Sequence, residues 1–131
     1  MTDITLPYLA AARFSGDDAA EFLQAQLSAD VLALAVGQAT FACYCTPRGQ
    51  VLGLLLVCRQ PSGWIVIGAT ELLPGILQRL RMFVLRSRVE FDLLTEQSVT
   101  GFAGDAAPAE TFPAGDTGLL YGLGPEANSN P

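Results

Sequence analysis

The sequence contains no histidine and no lysine, and all seven of its basic residues are arginine. Histidine is the commonest general base and metal ligand near neutral pH. Its absence excludes a Ser-His-Asp or Cys-His mechanism assembled from this chain alone. Positive charge is scarce as well, since 13 acidic side chains leave a net charge of −6. Such a chain repels a phosphate backbone, so no direct nucleic-acid contact is expected without a local basic patch or a partner protein. Long hydrophobic runs are missing. The longest, Val51 to Cys58 counting Gly53, is too short to cross a bilayer, so no membrane association is expected. Met1-Thr2-Asp3 lacks the basic start and apolar run of a secretory signal. Three cysteines, an odd number, without such a signal predict a cytoplasmic protein with reduced thiols.

What remains is apolar. Half of the 131 residues are hydrophobic and 15% are charged, which rules out a disordered or tail-like chain and suits one domain with a real core. Thr5 to Phe14, interrupted by Pro7, reads as an irregular strand. Ser15 is placed to cap a helix with Asp18 three residues on, and Ala19, Phe22, Leu23 and Leu27 make its buried stripe. Ala39 to Thr46, Gln50 to Arg59 and Trp64 to Gly68 alternate with turns at Pro47-Arg48-Gly49 and Pro61-Ser62-Gly63. They predict a three-stranded antiparallel meander, with Leu52 to Val57 buried on both faces. Thr70 is the expected cap of a second helix, with Pro74 in its first turn and Leu73, Ile76, Leu77, Leu80 and Val84 as its stripe. Arg79, Arg81, Arg86 and Arg88 gather at its C-terminal end, where cations suit the helix dipole. Val89 to Leu94 and Ser98 to Ala103 close the pattern.

The predicted class is α+β, a mainly antiparallel sheet with two helices on one face in the order β-α-β-β-β-α-β-β. Residues 1–103 form the expected domain, and 104–131 a Gly/Ala/Pro-rich tail or the start of a further segment. Within that tail only Gly118 to Leu123 looks capable of pairing, and "GPEANSNP" is expected to be mobile.

Three phrases in series resemble a known family: "SGDDAAEFLQAQLSADV", "FACYCTPRGQVLGLLLVCR" and "LQRLRMFVLRSRVEF". Together, over roughly residues 5–103, they resemble the N-terminal part of the YgfZ/GcvT-like folate-binding family. The resemblance implies a GcvT-like fold and a tetrahydrofolate-binding protein of the branch tied to iron–sulfur cluster assembly or repair and to tRNA modification. The sister branch is the aminomethyltransferase of glycine cleavage, which carries Gly-Gly-x-x-Asp-Asp across the hairpin. Here those positions read Gly49-Gln50-Val51-Leu52-Gly53-Leu54, without a carboxylate, so aminomethyl transfer is disfavoured. The Lys-Gly-Cys-Tyr-x-Gly-Gln-Glu motif of the iron–sulfur branch is also absent, so its cysteine does not map onto Cys43, Cys45 or Cys58. The expectation is a module that is not independently catalytic and corresponds to the first portion of a longer protein. No catalytic or metal-binding residue is assigned.

Folate presents a pterin whose N–H groups want acceptors and a glutamate tail that wants a cation. Asp30 could supply the first, with Gln24 and Gln26 lining the cleft; alternatively Asp30 is a helix-exit residue bonding its own backbone. Arg48 could grip a carboxylate or a partner, or be an ordinary turn arginine. The resemblance places Leu9, with Tyr8 beside it on the other face, where family members set an aromatic against the folate ring. Cys43 and Cys45 point to one face of a strand and, with Cys58, are short of the four ligands of a metal site. They read as small buried hydrophobes, with iron bridged between two chains as the alternative. Trp64 reads as core. The four arginines could attract a glutamate tail or RNA, or pair with Glu90, Asp92 or Glu96. A remaining expectation is an interaction module, a homodimer or a fold completed by a partner across an exposed apolar sheet.

Overall fold

The computed structural model describes residues 2–95, 97–103, 111–113 and 119–125. In chain order the elements among these are β1 (Thr2–Thr5), β2 (Leu9–Ser15), α1 (Ala19–Gln26), β3 (Ala39–Cys45), β4 (Val51–Gln60), β5 (Gly63–Ala69), α2 (Leu73–Arg81), β6 (Glu90–Leu93), β7 (Gln97–Ala103), β8 (Thr111–Pro113) and β9 (Leu119–Pro125). A 3-10 turn, Val31–Ala33, follows α1. The alternating segments of the sequence become the meander β3-β4-β5, and β2 then β6 add beyond β5, all antiparallel. The fold is α+β, with a five-stranded sheet of order β3-β4-β5-β2-β6.

Both helices lie on one face of that sheet because each has a single apolar stripe. α1 contributes Ala19, Phe22 and Leu23, and α2 contributes Leu73, Ile76, Leu77 and Leu80. These meet Ala12, Phe14, Ala42, Tyr44, Leu55, Val57, Trp64, Val66 and Phe91 from the strands. Phe14 stacks on Phe91 at 4.6 Å between ring centroids, and Phe91 in turn on Phe22 at 6.0 Å. Each fully buried Phe, Leu or Val here contributes about 1.5–3 kcal/mol relative to exposure. Trp64 is core, as expected, with the Arg59 guanidinium 5.5 Å from its ring centre while Arg59 Nη1 donates to Leu34 O.

Several local expectations are corrected. Thr5 to Phe14 is not one strand: the chain turns at Pro7-Tyr8, so β1 joins a second sheet of order β1-β7-β9-β8. β8 and β9 lie in the Gly/Ala/Pro-rich stretch, and β9 covers Leu119 to Leu123 of the segment singled out for pairing, Gly118 lying outside the described residues. Residues 126–131, most of the expected mobile end, lie outside the described residues. Ser15 does not cap α1. Asp18 takes the N-cap position without a side-chain cap bond, and its carboxylate instead accepts the Arg88 N–H at 2.7 Å. Asp18 N–H donates back to Arg88 O at 3.0 Å, so the pair ties the start of α1 to the loop before β6. Nor does Thr70 cap α2, whose N-cap is Leu72. Thr70 Oγ1 donates to Pro7 O at 2.8 Å and Thr70 N–H to Tyr8 O at 2.8 Å, fastening the β1–β2 turn to the end of β5. In both cases a tertiary acceptor or donor outcompetes the local helix end.

The second sheet covers part of the sheet face opposite the helices. Leu6, Ala11, Leu56, Cys58, Ile65, Ile67 and Val99 form a second buried cluster there, with Leu9, Ala39 and Leu94 against it.

Candidate functional site

Among the described residues that second layer stops short of one corner. Side chains alternate along a strand, so residues paired across the sheet share a face. On the face away from the helices one row runs Phe41, Leu56, Ile67, Ala11. The next row toward the β3–β4 turn holds Cys43 opposite Leu54 and Leu9 opposite Ala69, and beyond it Cys45 faces Val51. Leu56, Ile67 and Ala11 are buried, but Phe41, Val51 and Leu54 are 40%, 56% and 58% exposed. The doubly buried run is therefore Leu55 to Cys58, not Leu52 to Val57. The expectation failed because burial on this face depends on where the second sheet ends, which β4 alone does not encode.

A register shift at Tyr44-Cys45 separates the two flanks of the hairpin. It decides what the positions without carboxylates can do. Gly53 faces the helices: a Cβ there would meet Ile76 Cδ1 at 2.7 Å. Leu54 faces the open corner. Of the two positions, 54 alone could present an acid to a ligand, and it is apolar.

The corner has a defined rim. The Pro7-Tyr8 turn, pinned by Thr70, holds Tyr8 at 64% exposure beside Leu9, which packs into the second cluster. At the same end of the sheet, residues 46–50 form the β3–β4 turn. Gly49 sits at φ 87°, Gly49 N–H donates to Thr46 O, and Gln50 N–H to Thr46 Oγ1. Glycine suits that left-handed position, and the turn leaves Arg48 exposed at its tip. Tyr8, Leu9 and Arg48 thus share one end of the sheet.

Gln24, Gln26 and Asp30 belong to the helix side. Gln24 Oε1 accepts the Leu32 N–H at 3.0 Å and closes the loop after α1. Gln26 is half-buried at the end of α1. Asp30 precedes the 3-10 turn with its carboxylate exposed and makes no capping bond. The six candidates therefore divide between the two faces of the sheet.

Of the three cysteines expected to be buried only Cys58 is, and desolvation there pushes its thiol pKa far up; Cys43 and Cys45 are half-exposed, because they face the open corner. The Cys43 backbone is held by Ser28: its N–H donates to Ser28 Oγ at 2.8 Å and its carbonyl accepts the Ser28 N–H at 3.1 Å. Among the described residues no three Cys, Asp or Glu side chains converge to hold a metal. Arg81 pairs with Asp92 at 3.4 Å, one of the pairings offered for the four arginines, and its guanidinium also lies over the Phe91 ring. Arg88 pairs with Asp17 rather than a β6 carboxylate, at 3.8 Å, and Glu96 lies outside the described residues. The residues missed from sequence are Phe41, Val51 and Leu54. Their signal was an apolar alternation that reads the same whether or not a second layer covers it.

No family model matches the chain. Among curated proteins it is 32% identical over 95 residues to the tRNA-modifying protein YgfZ of Hamiltonella defensa, covering 72% of this chain and 28% of that one. It is 33% identical over 117 residues to the tRNA-modifying protein YgfZ of Klebsiella pneumoniae, covering 87% and 36%. The chain thus spans about a third of the length of these relatives. Among solved structures, the glycine cleavage system aminomethyltransferase T from Bartonella henselae superposes with a TM-score of 0.69. It shares 17% identity over 76% of this chain and 27% of that one, a likeness of fold. The three phrases, the two-helix sheet and these matches converge: the chain belongs to the YgfZ/GcvT-like family and corresponds to its N-terminal portion.

Proposed function

We propose that the open corner of the five-stranded sheet binds a reduced folate, tetrahydrofolate, and that the chain acts as a non-catalytic folate module in iron–sulfur cluster maintenance and tRNA modification. The observation that carries this reading is the uncovered apolar floor of Cys43, Val51 and Leu54, rimmed by Tyr8, Leu9 and Arg48. Ligand sites are mostly apolar with a few placed polar groups, and this one suits a flat ring. Tyr8 offers an aromatic face and Arg48 a cation for the glutamate tail. The similarity to tRNA-modifying YgfZ proteins supports the link to tRNA modification. Leu54 supports the non-catalytic reading, because an aminomethyl transferase needs an acid facing the ligand and this face offers none there. A soluble protein acting in the cytoplasm fits the same reading.

The test is calorimetric titration of tetrahydrofolate into the 131-residue chain, reduced and anaerobic. Saturable binding is expected, weakened at least tenfold by Leu54→Arg and several-fold by Arg48→Ala. Asp30→Ala, on the helix side, should leave it unchanged. No saturable heat at high protein concentration overturns the reading that this segment carries the site.

A further inference from the structure

The link between α2 and β6 carries a feature that the folate reading does not use. Met82, Phe83 and Leu85 are 71%, 47% and 88% exposed, three large apolar side chains within four residues. Scattered single apolar residues on a surface are ordinary; a protruding cluster is not. Leu85 also holds φ 49°. It is the second residue of a turn closed by Ser87 N–H donating to Val84 O at 2.8 Å. Glycine, asparagine and aspartate dominate that position, since other side chains crowd the backbone there. The sequence thus sets a leucine, fully presented to solvent, where the backbone prefers a small or polar residue.

Concavities flank the knob. One, of about 360 Å³, has an apolar floor of Val84, Val89 and Phe91 and walls of Arg81, Glu90 and Asp92. Another is formed by Asp18, Leu85, Arg86 and Ser87. The charges around them are of both signs. Arg79, Arg81, Arg86 and Arg88 interleave with Asp17, Asp18, Glu90 and Asp92, and Arg81 and Arg88 already pair with Asp92 and Asp17. Phosphate surfaces, whether RNA or an anionic membrane, call for a field of one sign, which this patch lacks. An apolar centre with arginines on a mixed polar rim is the anatomy of a protein interface.

A twofold interface needs one patch that complements itself, each residue meeting its counterpart's partner. Knob, apolar-floored hollow and both signs of charge on one patch meet that condition. We propose that residues 82–92 form a self-complementary surface on which two copies of this chain pair about a twofold axis. The Leu85 knob of each enters the Val84-Val89-Phe91 hollow of the other, and Arg86 of each faces Glu90 of its counterpart. Pairing is independent of the folate corner, which lies at the opposite edge of the sheet, with β5 and β2 between it and β6.

Sedimentation equilibrium under reducing conditions, over a wide range of protein concentration, tests this. A reversible monomer–dimer equilibrium is expected, weakened at least tenfold by Leu85→Asn. The same variant should keep or raise the melting temperature, because asparagine accepts the left-handed turn, so lost pairing is not lost folding. Arg86→Glu should also weaken pairing, and mixing it with Glu90→Arg should restore a heterodimer. Leu54→Asp, near the other edge of the sheet, should not change the equilibrium. A monomer at every concentration overturns the proposal, as does a dimer indifferent to Leu85→Asn or one lost on Leu54→Asp. Binding to phosphatidylglycerol vesicles that Leu85→Asn abolishes, with no dimer in solution, overturns it in favour of a membrane surface.

Discussion

Gly53 and Leu54 are neighbours, both stand where the aminomethyltransferase branch carries carboxylates, and the sheet register sends them to opposite faces. Placing an aspartate at each in turn is therefore a direct test of that register. At Gly53 the new Cβ would come 2.7 Å from Ile76 Cδ1, the mobile end of a side chain in the main core. Gly53→Ala should cost little, since overpacking of about 1–3 kcal/mol is partly offset by about 0.5–1 kcal/mol regained from removing a strand glycine. Gly53→Asp adds a carboxyl with no partner beneath α2, and an uncompensated buried charge costs about 3–5 kcal/mol. At about 4 °C per kcal/mol for a domain near this size, the melting temperature should fall by about 12–20 °C. The loss should be smaller in mildly acidic buffer, where the carboxyl can stay protonated. Leu54 is 58% exposed, so Leu54→Asp should cost about 1 kcal/mol or less. Thermal denaturation followed by circular dichroism reads both. If Leu54→Asp is the more damaging, the strand is slipped by one residue, every side chain of β4 is on the wrong face, and the open corner does not exist.

Cys58 should resist a thiol reagent in the folded protein while Cys43 and Cys45 react; modification of Cys58 without unfolding would contradict its burial. Because burial raises its folded-state pKa, its contribution is fully present below the unfolded thiol value, about 8.5, and above it falls by about 1.4 kcal/mol per pH unit. Cys58→Val should flatten that alkaline slope in denaturant titrations. Asp18→Ala removes the acceptor of the Arg88 N–H and should cost about 1.5–3 kcal/mol, toward the lower end because Asp18 is only half-buried. An unchanged urea midpoint would show that water replaces the bond. Thr70→Val deletes the bond to Pro7 O, should cost about 0.5–1.5 kcal/mol, and should weaken tetrahydrofolate binding by loosening the Tyr8 turn. Stability lost with binding untouched would separate that turn from the ligand site.

Periodicity carried the reading of the helices and the meander, because each needs only one apolar stripe or one alternating face. Leu73, Ile76, Leu77 and Leu80 are buried as the spacing demanded, and Tyr44 and Trp64 entered the core. Caps were less legible. Ser15 and Thr70 stand in good capping positions, yet the bonds go from Thr70 to Pro7 and from Arg88 to Asp18, partners far away in sequence. The second sheet was half legible: Ser98 to Ala103 and the stretch of β9 were read as able to pair, whereas β1 was merged into an irregular first strand and β8 lies in a Gly/Ala/Pro-rich region without strong strand character. The candidate site was legible only in part. Tyr8, Leu9 and Arg48 do share an end of the sheet, whereas Gln24, Gln26 and Asp30 sit across it, because a contiguous phrase in sequence spans a helix and its exit rather than one surface.

By itself the sequence determined the chemistry that is out of reach: without histidine or a carboxylate at position 54, no base faces this sheet from those positions. It also determined the class of fold, since hydrophobic spacing is local and helix and strand periods differ. Only the tertiary structure decided which face each strand residue occupies and how far the second layer extends. Those depend on a register shift at Tyr44-Cys45 and on pairing between segments about a hundred residues apart, such as Thr2 with Ala103. An exposed Leu54 and a buried Leu56 are chemically identical. What separates them is whether another strand lies above, and that is a property of the assembled sheets.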